Sequence, residues 1–256
     1  MANPMIVFDN RFLDGMLSAT STATGFNVRN IVDFRVYTYW RAAHAGTNFI
    51  TVDCGIPRTA DCLAVIGHNL RNANATVSVE SSVDNITWTT RIAGFTPSSN
   101  RAFLRIFFPP VTERHWRIRI VTATVPPILA IIYLGHRILF PFPPDTPYIP
   151  YRESIEAESS IGKTGYILGS VVRFKPIQIF VRFSNLTRTW IMENFIFFWD
   201  NYASNLRPFF WAWDITTFPN MVFFVTIDKE SSFEMPTSIL PFIDSIELNM
   251  KGIMEV

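Results

Sequence analysis

Residues 49–70 read FITVDCGIPRTADCLAVIGHNL, and the two ends of this stretch decide the fold class. Along residues 48–54 the side chains alternate. Phe49, Thr51 and Asp53 point one way, and Ile50, Val52 and Cys54 the other. A period of two marks a strand with one buried face. Residues 62–67 do not alternate. They form an unbroken apolar run, the pattern of a strand covered on both sides.

The same reading extends in both directions. Val77 and Val79 alternate with polar neighbours over residues 76–81. Strand-like stretches follow at 87–92, 101–108, 115–121 and 128–134. In the third of these Trp116, Ile118 and Ile120 face one way, and Arg117 and Arg119 the other. Turn residues fall about every 8–12 positions, the spacing of a sandwich or barrel.

Residues 140–150, FPFPPDTPYIP, hold five prolines. Proline removes an amide donor and fixes φ, so this segment reads as a stiff extended connector. It predicts domains at 1–139 and 151–256. In the second half, residues 167–174 and 177–183 read as strands. Residues 187–203 read as the one helix: Trp190, Ile191, Phe195, Phe198, Trp199 and Tyr202 recur at three- and four-residue spacing. Asn185 or Thr187 is placed to cap it. Further strands are predicted at 209–213, 221–228 and 244–254. The expected fold class is mainly β, a β-sandwich followed by an α+β domain with a single helix.

Composition limits the function. Of 256 residues only 17% are charged, while 15% are aromatic, including 24 Phe and 7 Trp. Charged residues normally make up about 25%. A thinly charged, aromatic-rich chain suits a protein that buries much of its surface against partners. Residues 209–213 are apolar on both faces. Trp199, Phe209, Phe210, Trp211 and Trp213 are therefore the candidate subunit interface. The net charge is +1 with no basic run, so no phosphate-tracking nucleic-acid surface is expected. No apolar stretch is long enough to span a bilayer. The first fifteen residues lack the features of a signal peptide.

Chemistry has little support. Residues 157–164, AESSIGKT, end like a phosphate-binding loop. Yet Ala157 stands where that loop needs its first glycine, and no buried strand precedes it. A hairpin or loop turning at Gly162 and Gly165 is expected instead. His44, His68, His115 and His136 are scattered, and Cys54 and Cys62 form no metal-ligand cluster. Free buried thiols are expected rather than a bridge. No cofactor, metal site or catalytic residue is expected, and the chain reads as a non-enzyme.

Three stretches carry a resemblance: VYTYWRAA (36–43), FITVDCG (49–55) and CLAVIGHNL (62–70). SSVDNITW (81–88), HWRIRI (115–120) and IIYLG (131–135) extend it. Together they resemble the discoidin-like jelly rolls of tailed-bacteriophage virion proteins. Trp40, Asp53, Gly55, Gly67, Asn69, Asp84, Trp88 and Trp116 match framework positions of that pattern. The element order after residue 150 is similar to the tail-tube-like domains of phage tail and baseplate proteins. The resemblance implies a structural protein of a tail tip or baseplate, located in the virion after assembly in the host cytoplasm. Its partners would be copies of itself in a symmetric ring and other tail or baseplate proteins. Some discoidin-like domains bind glycans, so a carbohydrate-binding module or receptor-recognising adaptor is the alternative, although no ligand motif matches.

Overall fold

In the computed structural model the described residues are 3–229, 231, 233 and 244–253. The chain is mainly β. In order, the elements are β1 (Met5–Val7), β2 (Met16–Ala19), β3 (Trp40–Arg41), β4 (Gly46–His68), β5 (Thr76–Ser82), β6 (Thr89–Phe95), β7 (Phe103–Thr122), β8 (Ile128–Gly135) and β9 (Arg137–Leu139). Then come β10 (Arg152–Glu153), β11 (Glu156–Ile161), β12 (Ile167–Phe174) and β13 (Pro176–Leu186), followed by a helix, α1, over residues 188–203. The last strands are β14 (Phe209–Ala212), β15 (Val222–Ile227) and β16 (Asp244–Ile253). The expected final strand therefore appears, with its predicted last residue, Met254, outside the described residues.

The sandwich is built on two long strands, β4 and β7. The sequence divides each of them at Gly55–Pro57 and at Pro109–Pro110. The structure keeps the pairing going across both interruptions through register shifts between Asp53 and Arg58 and between Ala60 and Cys62. Proline cannot donate to a ladder but is tolerated at such irregularities. The first half of β4 pairs with the second half of β7, and β2 and β5 flank this pair. The second half of β4 pairs with the start of β7 and with β8. Both halves feed one core, which includes Trp40, Ile50, Val52, Leu63, Val65, Trp116 and Ile118.

The second sheet runs β10-β13-β16-β15-β14-β1-β9. It takes strands from both sides of the proline segment, which corrects the expected division at 140–150. Met5–Val7 pairs with β14 on one edge and β9 on the other. The prolines make the segment extended; they do not separate two independent cores. One face of this sheet lies against the sandwich. There Met5, Val7, Phe210, Ala212 and Val222 meet Cys62, Ala64, Ile66, Leu104 and Tyr133. This second cover explains the unbroken apolar run at 62–67. The other face packs under α1, through Ile179, Val181, Phe183, Phe195, Phe198, Phe209 and Trp211.

The helix starts where the sequence places it. Thr187 caps it, its hydroxyl accepting from the Trp190 amide at 3.2 Å. Beyond Trp190, π-helical turns at Ile191–Phe195 and Trp199–Ala203 alternate with an α-helical turn at Ile196–Phe198.

The interface assignment at β14 is also corrected. Phe209, Phe210 and Trp211 are fully buried within the single chain. Both faces of β14 are covered, but by the chain's own helix and sandwich. Trp199 and Trp213 are half-buried and engaged as well. Trp199 lies 6.3 Å from the Phe195 ring, and Trp213 stacks on Phe218 at 5.0 Å.

Candidate functional site

Among the described residues, one surface that the fold leaves uncovered is the hairpin of β11 and β12. Its pairing runs from Glu156–Phe174 to Ile161–Ile167. The turn forms as the sequence predicts. Gly162 N–H donates to the Tyr166 carbonyl at 2.8 Å, and Gly165 N–H to the Gly162 carbonyl at 2.9 Å. Gly165 has a φ of +83°, which glycine adopts without steric cost. The stretch that ends in Gly-Lys-Thr is thus a strand and a tight turn with no helix behind it, so it has no helix terminus for a phosphate.

Every residue of both strands is exposed. Leu168 is 72% exposed and Ile167 69%, and Ile161, Val171, Val172 and Phe174 are exposed beside them. Alternation sorts the strands into two faces. The hydroxyls of Ser159 and Ser170 meet at 2.8 Å, which fixes one face. By parity Ala157 and Val172 share it, while a register shift at Glu156–Ala157 puts Phe174 opposite Glu156. The ion pair of Glu158 and Arg173 fixes the other face, with Ser160 and Val171 beside it. The two strands form a separate two-stranded sheet, so the outer edge of each is unpaired. The sequence shows the strand 167–174 but not its exposure. Its apolar side chains Ile167, Leu168, Val171 and Val172 are all exposed.

A second feature lies at one end of the sandwich. An opening of about 460 Å³ is lined by Val36, Gly67, His68, Asn69, Asn100, Arg101 and Ile128. His68 is buried, and its Nε2 lies 3.1 Å from the Arg101 carbonyl while Nδ1 accepts from the Leu70 amide. Burial pushes His68 down to about 4, so it is neutral at pH 7. Arg101 also lines two smaller openings beside this one, and no carboxylate lines any of the three. Sequence reading gave His68 as one of four scattered histidines, and Arg101 carried no signal.

Elsewhere polar groups serve the fold. Asp53 takes Arg114 through both oxygens at 2.7 Å, which holds its carboxyl well below the usual range. Arg117 stands over the rings of Trp88 at 4.0 Å and Phe49 at 4.4 Å. Among the described residues no group of His, Cys, Asp and Glu side chains is arranged to hold a metal ion, and no helix is long and apolar enough to cross a membrane.

No protein-family model matches the chain, and no curated protein matches it. Solved structures do. One is chitosan-binding module 1 of a chitosanase/glucanase from Paenibacillus sp. IK-5, at 19% identity and TM-score 0.43, covering 50% of this chain and 98% of that one. Another is CpGH89CBM32-5 from Clostridium perfringens, in complex with GalNAc-β-1,3-galactose, at 13% identity and TM-score 0.43, covering 50% and 99%. A third is a pectin-binding carbohydrate-binding module, at 16% identity and TM-score 0.39, covering 46% and 88%.

Proposed function

We propose that the chain is a structural, non-enzymatic component of a tailed-phage tail tip or baseplate, which assembles through protein–protein contacts in a symmetric ring. The hairpin of β11 and β12 carries this reading. It presents exposed apolar side chains on both faces and two free edges, and an isolated two-stranded hairpin is only marginally stable in water. Such edges are templates for pairing with another chain. The resemblance of residues 36–135 to phage virion jelly rolls supplies the setting, with the virion as location. The test is light scattering and electron microscopy of the purified full chain over a range of concentrations. A discrete closed oligomer is expected, and it should be lost when residues 156–174 are replaced by a short Gly-Ser link while circular dichroism is unchanged. A parent chain that stays monomeric throughout overturns the proposal.

A carbohydrate-binding role is the second reading, favoured by the opening at Arg101. Its lining sets the polar groups of Asn69, Asn100 and Arg101 beside apolar Val36 and Ile128, the mixture a sugar could enter, and the similar structures are named as binding chitosan, pectin and a GalNAc-galactose disaccharide. A glycan array tests it. Retention of a saccharide that Arg101→Ala abolishes is the expected result, and an empty array overturns it.

A further inference from the structure

The two edges of the hairpin differ in charge. β11 carries Glu156 and Glu158 and no cation, and β12 carries Arg173 and no carboxylate. Within the chain Glu158 and Arg173 already attract each other across the hairpin. Each then has an outer side, along the free edge of its strand, with no strand beside it.

Resting on the assembly reading above, we propose that the hairpins of successive copies join head to tail. The Arg173-bearing edge of β12 takes the Glu156- and Glu158-bearing edge of β11 from a second copy, antiparallel, and repetition closes the hairpins into one barrel.

Three pairings of two hairpins are available, and charge separates them. Joining β11 to β11 places four glutamates along one seam with no cation, and like charges opposed across strands are destabilising. Joining β12 to β12 leaves both acidic edges open to solvent, so the assembly stops at a dimer with two free edges. Joining β12 to β11 puts opposite signs together at every seam. It also uses every edge, because a head-to-tail contact repeats until rotation closes it. Closure leaves no edge at all. If the seam repeats the register seen inside the hairpin, Ala157, Ser159, Ser170 and Val172 of all copies share one wall of the barrel. Glu158 and Arg173 then alternate around the other wall.

The experiment uses the full chain and reads the concentration at which assembly is half complete. One variant reverses the acidic edge (Glu156→Lys with Glu158→Lys), a second reverses the basic edge (Arg173→Glu), and a third carries all three changes. Circular dichroism and the melting temperature confirm that each is folded. Each single-edge reversal is expected to raise the half-assembly concentration about tenfold, the effect of roughly 1.4 kcal/mol at the seam. The triple variant is expected to return close to the parent. Mixing the two single-edge variants is expected to restore assembly, since each then meets an edge of opposite sign. Single-edge variants that assemble like the parent, or a mixture that fails where the parent assembles, overturn the head-to-tail seam but leave the assembly reading standing. A parent that does not assemble, or a hairpin-deleted chain that still does, overturns that reading itself.

Discussion

The hydroxyl of Tyr133 donates a hydrogen bond to the carbonyl oxygen of Pro208 at 2.7 Å. Tyr133 stands on β8 in the sandwich, and Pro208 immediately precedes β14 in the second sheet. The ring of Tyr133 lies 5.2 Å from Phe210, edge to face. The bond therefore sits inside the apolar seam between the two sheets. Tyr133→Phe keeps the ring and strands the Pro208 carbonyl, at a cost of about 1–2 kcal/mol. Chemical denaturation should show one shared transition for both sheets, shifted to lower denaturant in the variant. Two separated transitions in the parent would sink the view that this seam joins the sheets into one cooperative unit.

His68 gives a pH dependence with a definite sign. Its ordinary value is 6.5, and burial lowers it to about 4 in the fold. The fold holds the neutral form. The stabilisation is thus complete above about 6.5 and is lost as pH falls from there towards 4. The slope in that window is about 1.4 kcal/mol per pH unit for one proton, about 3 kcal/mol in all. His136 runs the opposite way. Its hydrogen bond to Asp61 raises it, so its contribution is present at low pH and fades as pH rises through the folded value. Comparing the parent with His68→Gln isolates the first effect. The two stability curves should converge as pH falls from 7 to 4, and parallel curves would refute the assignment.

The cysteines are free and buried, as the sequence reading expected. Burial pushes the Cys54 thiol up to about 11 and that of Cys62 well above its ordinary value. A thiol reacts through its thiolate, so both should be inert. Iodoacetamide at pH 8 should label neither in the native protein and both after unfolding, as counted by mass spectrometry. Rapid native labelling of either would contradict the burial.

Gly135 shows how closely the N-terminal segment lies on the sandwich. A Cβ added there would stand 1.6 Å from the carbonyl oxygen of Asp9, where backbone cannot yield cheaply. Gly135→Ala should destabilise by several kcal/mol, at the upper end of single substitutions, through strain rather than lost contacts. A melting temperature within a degree of the parent would show that the segment gives way freely.

Much of this fold was legible in local pattern. The alternation at 48–54 and 115–121, the doubly covered run at 62–67 and the aromatic spacing of the helix all appear where they were read. Two kinds of information were not legible. Pairing partners distant in sequence leave no local trace, so Met5–Val7 gave no sign of its place between β14 and β9. Apolar faces announce that they are covered but not by what. Phe209–Ala212 therefore read as a contact with another subunit when the cover is intramolecular. The hairpin's strand and turn were read, but local pattern carried no sign that its apolar residues are exposed.

The pairing of Met5 with Ala212 also bears on the order of synthesis. The ribosome makes one of the first strands of this sheet and then must make the whole sandwich, the hairpin and the helix before its β14 neighbour exists. At about 5–20 residues per second that interval is on the order of 10–40 s. Through it the apolar face that Ile6 will share with Phe209 and Trp211 waits without them. A nascent chain halted before residue 209 should therefore recruit holdase chaperones, and release from them should coincide with the emergence of β14 rather than with completion of the sandwich.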